Sequence, residues 1–155
     1  MQRRNFLGLL LMGSAGAISG NLPAFADYRV MKSDREWKTI LAPAAYDVLR
    51  NQGTEMPYSS PLDMNYKKGI YLCAGCSQPL FSSGTKYDSH TGWPSFWRPL
   101  PDAVLTAEDH SLEMERIEVH CSGCGGHLGH VFDDGPRPTG LRYCMNGVAL
   151  RFQAA

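Results

Sequence analysis

"RIEVHCSGC", residues 116–124, decides the fold class. Ile117, Val119 and Cys121 alternate with Arg116, Glu118 and His120, the period of a half-buried strand. The strand runs into Cys121-x-x-Cys124, a tight turn with Gly123 inside it and Gly125 and Gly126 behind it. A second unit mirrors it upstream. There Ile70 and Leu72 alternate with Tyr71 and Cys73 and lead into Cys73-x-x-Cys76. Two thiolates on one such turn grip one side of a tetrahedral ion, and a second turn supplies the other side. Four cysteines with no obligatory histidine suit a structural zinc, one per chain, which keeps no position open for chemistry. Disulfides, a C-x-x-C redox pair and iron in the same sulfur cage are the competing readings. A redox pair normally sits at a helix start, whereas these lie among strands. The 44 residues between the pairs are long for a simple ribbon, so the middle of the chain must loop out and build something.

Working toward the N-terminus, residues 54–69 read as a loop, with Pro57, Pro61, Asn65 and Gly69. Residues 33–53 read as helical. Ser33 and Glu36 form a capping-box signature, and Trp37, Ile40, Leu41, Ala44, Ala45, Val48 and Leu49 recur at helical spacing. Pro43 divides the segment into two short helices and stands near the start of the second, with Gly53 as the stop. No linker interrupts the remainder, so residues 27–155 are expected to form one domain.

Residues 1–26 read as an export signal rather than as part of that domain. Arg3 and Arg4 precede an apolar run of 13 residues, Phe6 to Ile18, and Ala24-Phe25-Ala26 is a small-x-small cleavage site. An anchoring helix is the competing reading, but a bilayer span needs ~20 residues, and Gly8, Gly13 and Gly16 break this run. Arg3-Arg4-Asn5-Phe6-Leu7 resembles the twin-arginine signal, which carries folded proteins out of bacteria. The expected location is therefore the bacterial periplasm, with no stable membrane insertion after cleavage. Fifteen basic residues balance fifteen acidic ones, which argues against a nucleic-acid partner.

Toward the C-terminus, "RYCMNGVALRF", residues 142–152, holds the fifth cysteine. Leu141, Tyr143 and Met145 share one face of a strand, and Arg142, Cys144 and Asn146 share the other. After Gly147 the apolar set moves to Val148, Leu150 and Phe152, so Gly147 is read as a bulge or kink. Cys144 then lies on a polar face beside a guanidinium that favours its thiolate. That brings a nucleophile level with the alternative of an inert buried thiol, and both stay open on the residues alone. Between the cysteine pairs, "SHTGWPSFW", residues 89–97, is an aromatic turn whose Trp93 and Phe96 suit either a core corner or a site wall. His127 and His130 bracket Leu128-Gly129, and their spacing alone does not separate a local structural role from a chemical one.

Taken together, "CAGCSQPLF", "KYDSHTGWPSFW", "CSGCGGHLGHVFDDGPRPTGLRYCMNGVALRF" and the helical "EWKTILAPAAYDVLRNQGTE" strongly resemble methionine sulfoxide reductases of the B type, from about Asp34 to Gln153. The resemblance implies a mainly β fold of two antiparallel sheets with short N-terminal helices, its two C-x-x-C turns joined by zinc on Cys73, Cys76, Cys121 and Cys124. It implies thiol-dependent reduction of the R epimer of methionine sulfoxide in proteins or peptides, with Cys144 as nucleophile and a sulfenic acid intermediate. His130, Asn146 and Trp93 are the other implied catalytic residues. Trp93, His127, Phe96 and Arg142 are expected around the substrate. Many relatives carry a resolving cysteine two residues before that tryptophan; here the position is Thr91. A one-cysteine cycle served by an external thiol or a thioredoxin-like partner follows, in a chain expected to be a monomer. The competing class is a zinc-stabilised binding module that presents Trp93, Phe96 and Trp97.

Overall fold

A computed structural model describes residues 28–111 and 115–155. The proposed export signal lies outside the described residues. Two helices come first, α1 (Asp34–Ile40) and α2 (Pro43–Asn51). The capping box forms as expected: Glu36 N–H donates to Ser33 Oγ, and Ser33 N–H donates to the Glu36 carboxylate at 2.8 Å. Ala42 is extended, as the residue before a proline must be, and Pro43 opens α2 where its missing N–H costs nothing. The stop falls one residue earlier than expected. Gln52 takes the left-handed conformation (φ 57°), and Gly53 follows it, its N–H donating to the Asp47 carbonyl at 3.1 Å.

Among the described residues, nine strands make two antiparallel sheets. The smaller holds β1 (Gly69–Cys73), β2 (Pro79–Ser82) and β9 (Leu150–Ala154) in the order β2-β1-β9. The larger holds β3 (Lys86–Tyr87), β4 (Ser95–Phe96), β5 (Val104–Asp109), β6 (Arg116–Cys121), β7 (His127–Phe132) and β8 (Arg142–Met145) in the order β3-β4-β8-β7-β6-β5. Among the described residues no helix is long and apolar enough to cross a membrane.

The sheets meet through aromatic side chains. Phe81 of the smaller sheet stacks on Phe96 of the larger at 4.3 Å between ring centroids, and Tyr71 meets Phe96 edge-on at 4.9 Å. Leu80, Val119, Leu128 and Met145 complete this core, and Trp37, Val48 and Leu49 close one end of it. Phe96 is 0% exposed, so the core-corner reading of that residue holds and a place against substrate does not. The alternation in β6 is half obeyed. Val119 and Cys121 point inward, but Ile117 is 40% exposed, because three strands cannot cover six and the outer end of the β5–β6 ribbon is bare.

Gly147 marks a larger event than a bulge. It opens a 3-10 turn, Gly147–Ala149, through which the chain leaves the larger sheet after β8 and enters the smaller one as β9. The shift of the apolar set to even positions is the trace of that change of sheet. The 44 residues between the pairs are explained as well: they build β2, β3, β4, β5 and most of β6.

Candidate active site

The two C-x-x-C turns are near copies at backbone level. In the first, Ser77 N–H donates to Cys73 O at 2.9 Å and Cys73 N–H to Gln78 O at 2.8 Å. In the second, Gly125 N–H donates to Cys121 O at 2.8 Å and Cys121 N–H to Gly126 O at 2.9 Å. Ser77 (φ 62°) and Gly125 (φ 69°) take the same left-handed position. The first turn joins β1 to β2 and the second joins β6 to β7, so the sulfurs come from both sheets. All four Sγ atoms lie within 4.8 Å of one another, with Cys73–Cys124 at 3.7 Å and Cys76–Cys121 at 3.5 Å. A metal ~2.3 Å from each of four tetrahedral sulfurs implies ~3.8 Å between them. The cage fits such an ion. Its sulfurs are too far apart for disulfides, which need ~2.05 Å.

The fifth cysteine is on β8, beside His130 of β7. In register, Cys144 stands between Ser95 of β4 and His130 of β7, and His130 faces Glu118 of β6. These side chains share one face of the larger sheet, as do Arg116 and its partner Asp109 on β5. Gly129 lets β7 approach: a Cβ there would sit 2.1 Å from the Cys144 carbonyl oxygen. Cys144, His130, Trp93, Asn146, Thr54, Gly129, Arg116 and Phe132 line a cleft of about 140 Å³, room for a group of a few heavy atoms.

Each wall is held separately. Trp93 Nε1–H donates to the Glu55 carbonyl at 3.1 Å, which presents the indole to the cleft. Asn146 Oδ1 accepts from Glu55 N–H at 2.9 Å, and its Nδ2 donates to Leu128 O at 3.1 Å. Asn146 is therefore a clip between the 54–56 loop and β7, with one Nδ2 hydrogen left over. The Glu55 carboxylate accepts from Gly147 N–H and Val148 N–H, tying the same loop to the 3-10 turn. Burial nevertheless pushes the Glu55 carboxyl up. Thr91 Oγ1 lies 3.9 Å from Cys144 Sγ, and Ser89 Oγ bridges Thr91 and Ser95 at 2.8 and 2.7 Å.

The electrostatics of Cys144 differ from the expectation drawn from Arg142 alone. Burial pushes the thiol up, and the Arg142 guanidinium, Thr91 and Ser95 oppose that rise without cancelling it. Arg142 is engaged elsewhere. It forms a fork on the Asp134 carboxylate at 2.8 and 2.9 Å, holds that carboxyl below its usual range, and lies 4.3 Å from the Phe132 ring centroid. It does not line the cleft, and the cation there is Arg116. His127 does not line it either. It is 3% exposed and packs behind His130 at 5.3 Å between ring centroids, its Nδ1 2.7 Å from Glu118. Of the residues expected around substrate, Trp93 reaches the cleft, while Phe96, His127 and Arg142 support it from outside. Sequence reasoning missed Thr54, Glu55, Asp109 and Arg116. Only Arg116 left a signal, as a member of the polar face of the β6 alternation.

A family model described as the SelR domain matches residues 41–154, which span both sheets, the cage and the cleft. The chain belongs to the SelR family. SelR relatives similar to it include proteins named peptide methionine sulfoxide reductase MsrB. The one from Leptospira interrogans is 56% identical over 128 residues, covering 82% of this chain and 98% of its own. That from Methanosarcina barkeri is 57% identical over 129 residues, covering 83% and 91%. The Agrobacterium fabrum protein is 50% identical over 126 residues, covering 81% and 93%.

Proposed function

We propose that this SelR chain reduces the R epimer of methionine sulfoxide in proteins and peptides, with Cys144 as nucleophile, and so repairs oxidised proteins. The observation that carries the reading is the register of Cys144 against His130 at a cleft walled by Trp93. A methylsulfinyl group fits this space, with its methyl on the indole face. Cys144 sulfur attacks the electrophilic sulfoxide sulfur while the oxygen takes a proton, for which the cleft-lining His130 is the acid. The oxygen ends on Cys144 as the sulfenic acid. The substrate sulfur gains two electrons, Cys144 loses two, and methionine leaves. A first external thiol then forms a mixed disulfide with Cys144 and releases water. A second restores the Cys144 thiol and leaves as the external disulfide.

Thr91, at 3.9 Å from Cys144, supports the one-cysteine cycle, because a hydroxyl stands where a resolving thiol would have to reach. The reductant is a small thiol or a thioredoxin-like protein. Zinc is the metal proposed for Cys73, Cys76, Cys121 and Cys124; when bound it cross-links the two sheets. We assign the chain, as a monomer, to the bacterial periplasm through a twin-arginine signal cleaved after Ala26. Tyr28 and Val30 would survive that cut: the Tyr28 ring packs at 6.4 Å from His120, and Val30 N–H donates to Gly123 O at 2.9 Å.

Turnover of the separated sulfoxide epimers with dithiothreitol tests the activity. Consumption of the R epimer by the wild type, abolished in Cys144→Ser, is expected. Consumption of the S epimer alone, or of neither, sinks the proposal. Mass spectrometry after one equivalent of substrate should find one oxygen on Cys144, and an intramolecular disulfide would overturn the one-cysteine cycle.

A further inference from the structure

Asp109 ends the edge strand β5, opposite Arg116 of β6. Its Oδ2 lies 2.7 Å from His130 Nε2 and 2.8 Å from Arg116 Nη2, and its Oδ1 accepts the Ser111 N–H at 2.9 Å. We propose that Asp109 is a positioning residue for the reduction: its carboxylate fixes the His130 ring with Nε2–H turned away from Cys144, and stabilises the imidazolium that gives a proton to the sulfoxide oxygen. The inference rests on the function proposed above.

An ionised carboxylate only accepts hydrogen bonds, so the contact requires the hydrogen on Nε2. The ring's other nitrogen, Nδ1, is then the atom left to exchange a proton with the cleft. The Ser111 hydroxyl and N–H together with His130 hold the Asp109 carboxyl well below the usual carboxylate range, so it stays charged wherever histidine titrates. His130 is under opposing pressures. Burial pushes it down, Asp109 pulls it up, and Arg116 and His127 push it down again. The remaining charged neighbours are spent on other partners: Glu118 on His127 at 2.7 Å, and Arg142 on Asp134. Cys144 is the register partner on β8. Among the groups facing the ring, Asp109 is thus the anion in direct contact with it.

The two histidines show the same device twice. His127 is held by Glu118 from β6, and His130 by Asp109 from one strand further out. Of these four residues, only His130 lines the cleft.

The sign of the pH effect follows. An acid that must be protonated loses effectiveness as pH rises through its folded pKa. Removing the Asp109 charge lowers the His130 pKa and moves that loss toward acid. Asp109→Asn should therefore lower the imidazole titration of His130, followed by NMR, by about one pH unit or more. It should cut kcat on the R sulfoxide roughly 10- to 100-fold at neutral pH, with KM held within about twofold and much of the loss recovered at acid pH. Asp109→Glu should restore most of the activity. In the wild type, 15N shifts should report the Nε2–H tautomer of His130. An Nδ1–H tautomer, an unmoved titration in Asp109→Asn, or a kcat loss uniform across pH would each overturn the proposal. The wild-type tautomer needs no variant, so it decides the matter even where Asp109→Asn fails to fold. If wild-type protein turns over neither epimer, the functional reading fails, while the tautomer and titration still report whether Asp109 holds the ring.

Discussion

Four of the five cysteines sit in a cage that the two sheets close from both sides; the fifth stands on a central strand beside a cleft. In the cage, each sulfur is fixed by a backbone turn that repeats almost atom for atom, and the sulfurs satisfy one another's geometry. Among the described residues lining the cleft, Cys144 supplies the only sulfur. The neighbours are a threonine hydroxyl, an imidazole and an indole, each held by a different segment of chain. One arrangement secures sulfur by local sequence, the other exposes it by long-range assembly. The difference teaches that residue type alone does not set a cysteine's role in this protein.

The largest expected effects separate the two regions outright. Cys144→Ser should drop turnover to background while metal content and thermal unfolding stay those of the wild type. Cys124→Ser should do the reverse in order: the metal is lost first, and with it enough folding free energy to exhaust a stability of about 5–15 kcal/mol. Elemental analysis and calorimetry on both variants check this, and a Cys124→Ser protein that keeps its metal and its transition would erase the contrast. Next in size is Thr91→Cys. With a thiol placed where Thr91 Oγ1 now lies 3.9 Å from Cys144 Sγ, oxidation by substrate should end in a disulfide between residues 91 and 144, seen as a mass loss of two hydrogens. Persistence of the sulfenic acid would mean that the strands hold these positions too rigidly apart.

How much of this was legible beforehand can be judged residue by residue. The capping box at Ser33, the break at Pro43, the alternation of β6 and the paired turns are local patterns, and local patterns survive into the fold. Cys144 was placed on the correct face by parity alone. Asp109 and Glu55 were not legible. They act across strands or across a loop, and the register that brings Asp109 opposite Arg116, hence beside His130, is set by the whole sheet. Phe96 looked equally suited to core and cleft until Phe81 and Tyr71 of the other sheet were seen to cover it. Arg142 does act on Cys144 as its place in the sequence suggests, but Asp134 also holds the guanidinium, and burial of the thiol outweighs it.

Two smaller effects sharpen the picture. At Gly147, a Cβ would sit 1.9 Å from Ser60 Oγ and 2.3 Å from Ser60 Cβ. Gly147→Ala should cost about 1–3 kcal/mol in chemical denaturation, and pairing it with Ser60→Gly should recover most of that. The mildest test concerns resting reactivity. Because burial raises the Cys144 thiol, it is protonated near neutrality and becomes thiolate only as pH climbs past the ordinary range for cysteine. Alkylation of Cys144 without substrate should therefore rise at higher pH than that of a free cysteine. A profile displaced toward acid would contradict the buried setting.

The pairing of β1 with β9 joins residues 69–73 to residues 150–154, the opposite end of the domain. A nascent chain emerging from the ribosome holds the first C-x-x-C turn long before the partner edge of its strand exists. The smaller sheet is completed only once β9 has been made, so the domain must mature as a whole rather than piecewise. Removing residues 150–154 would leave β1 with a naked edge and the first knuckle without its scaffold.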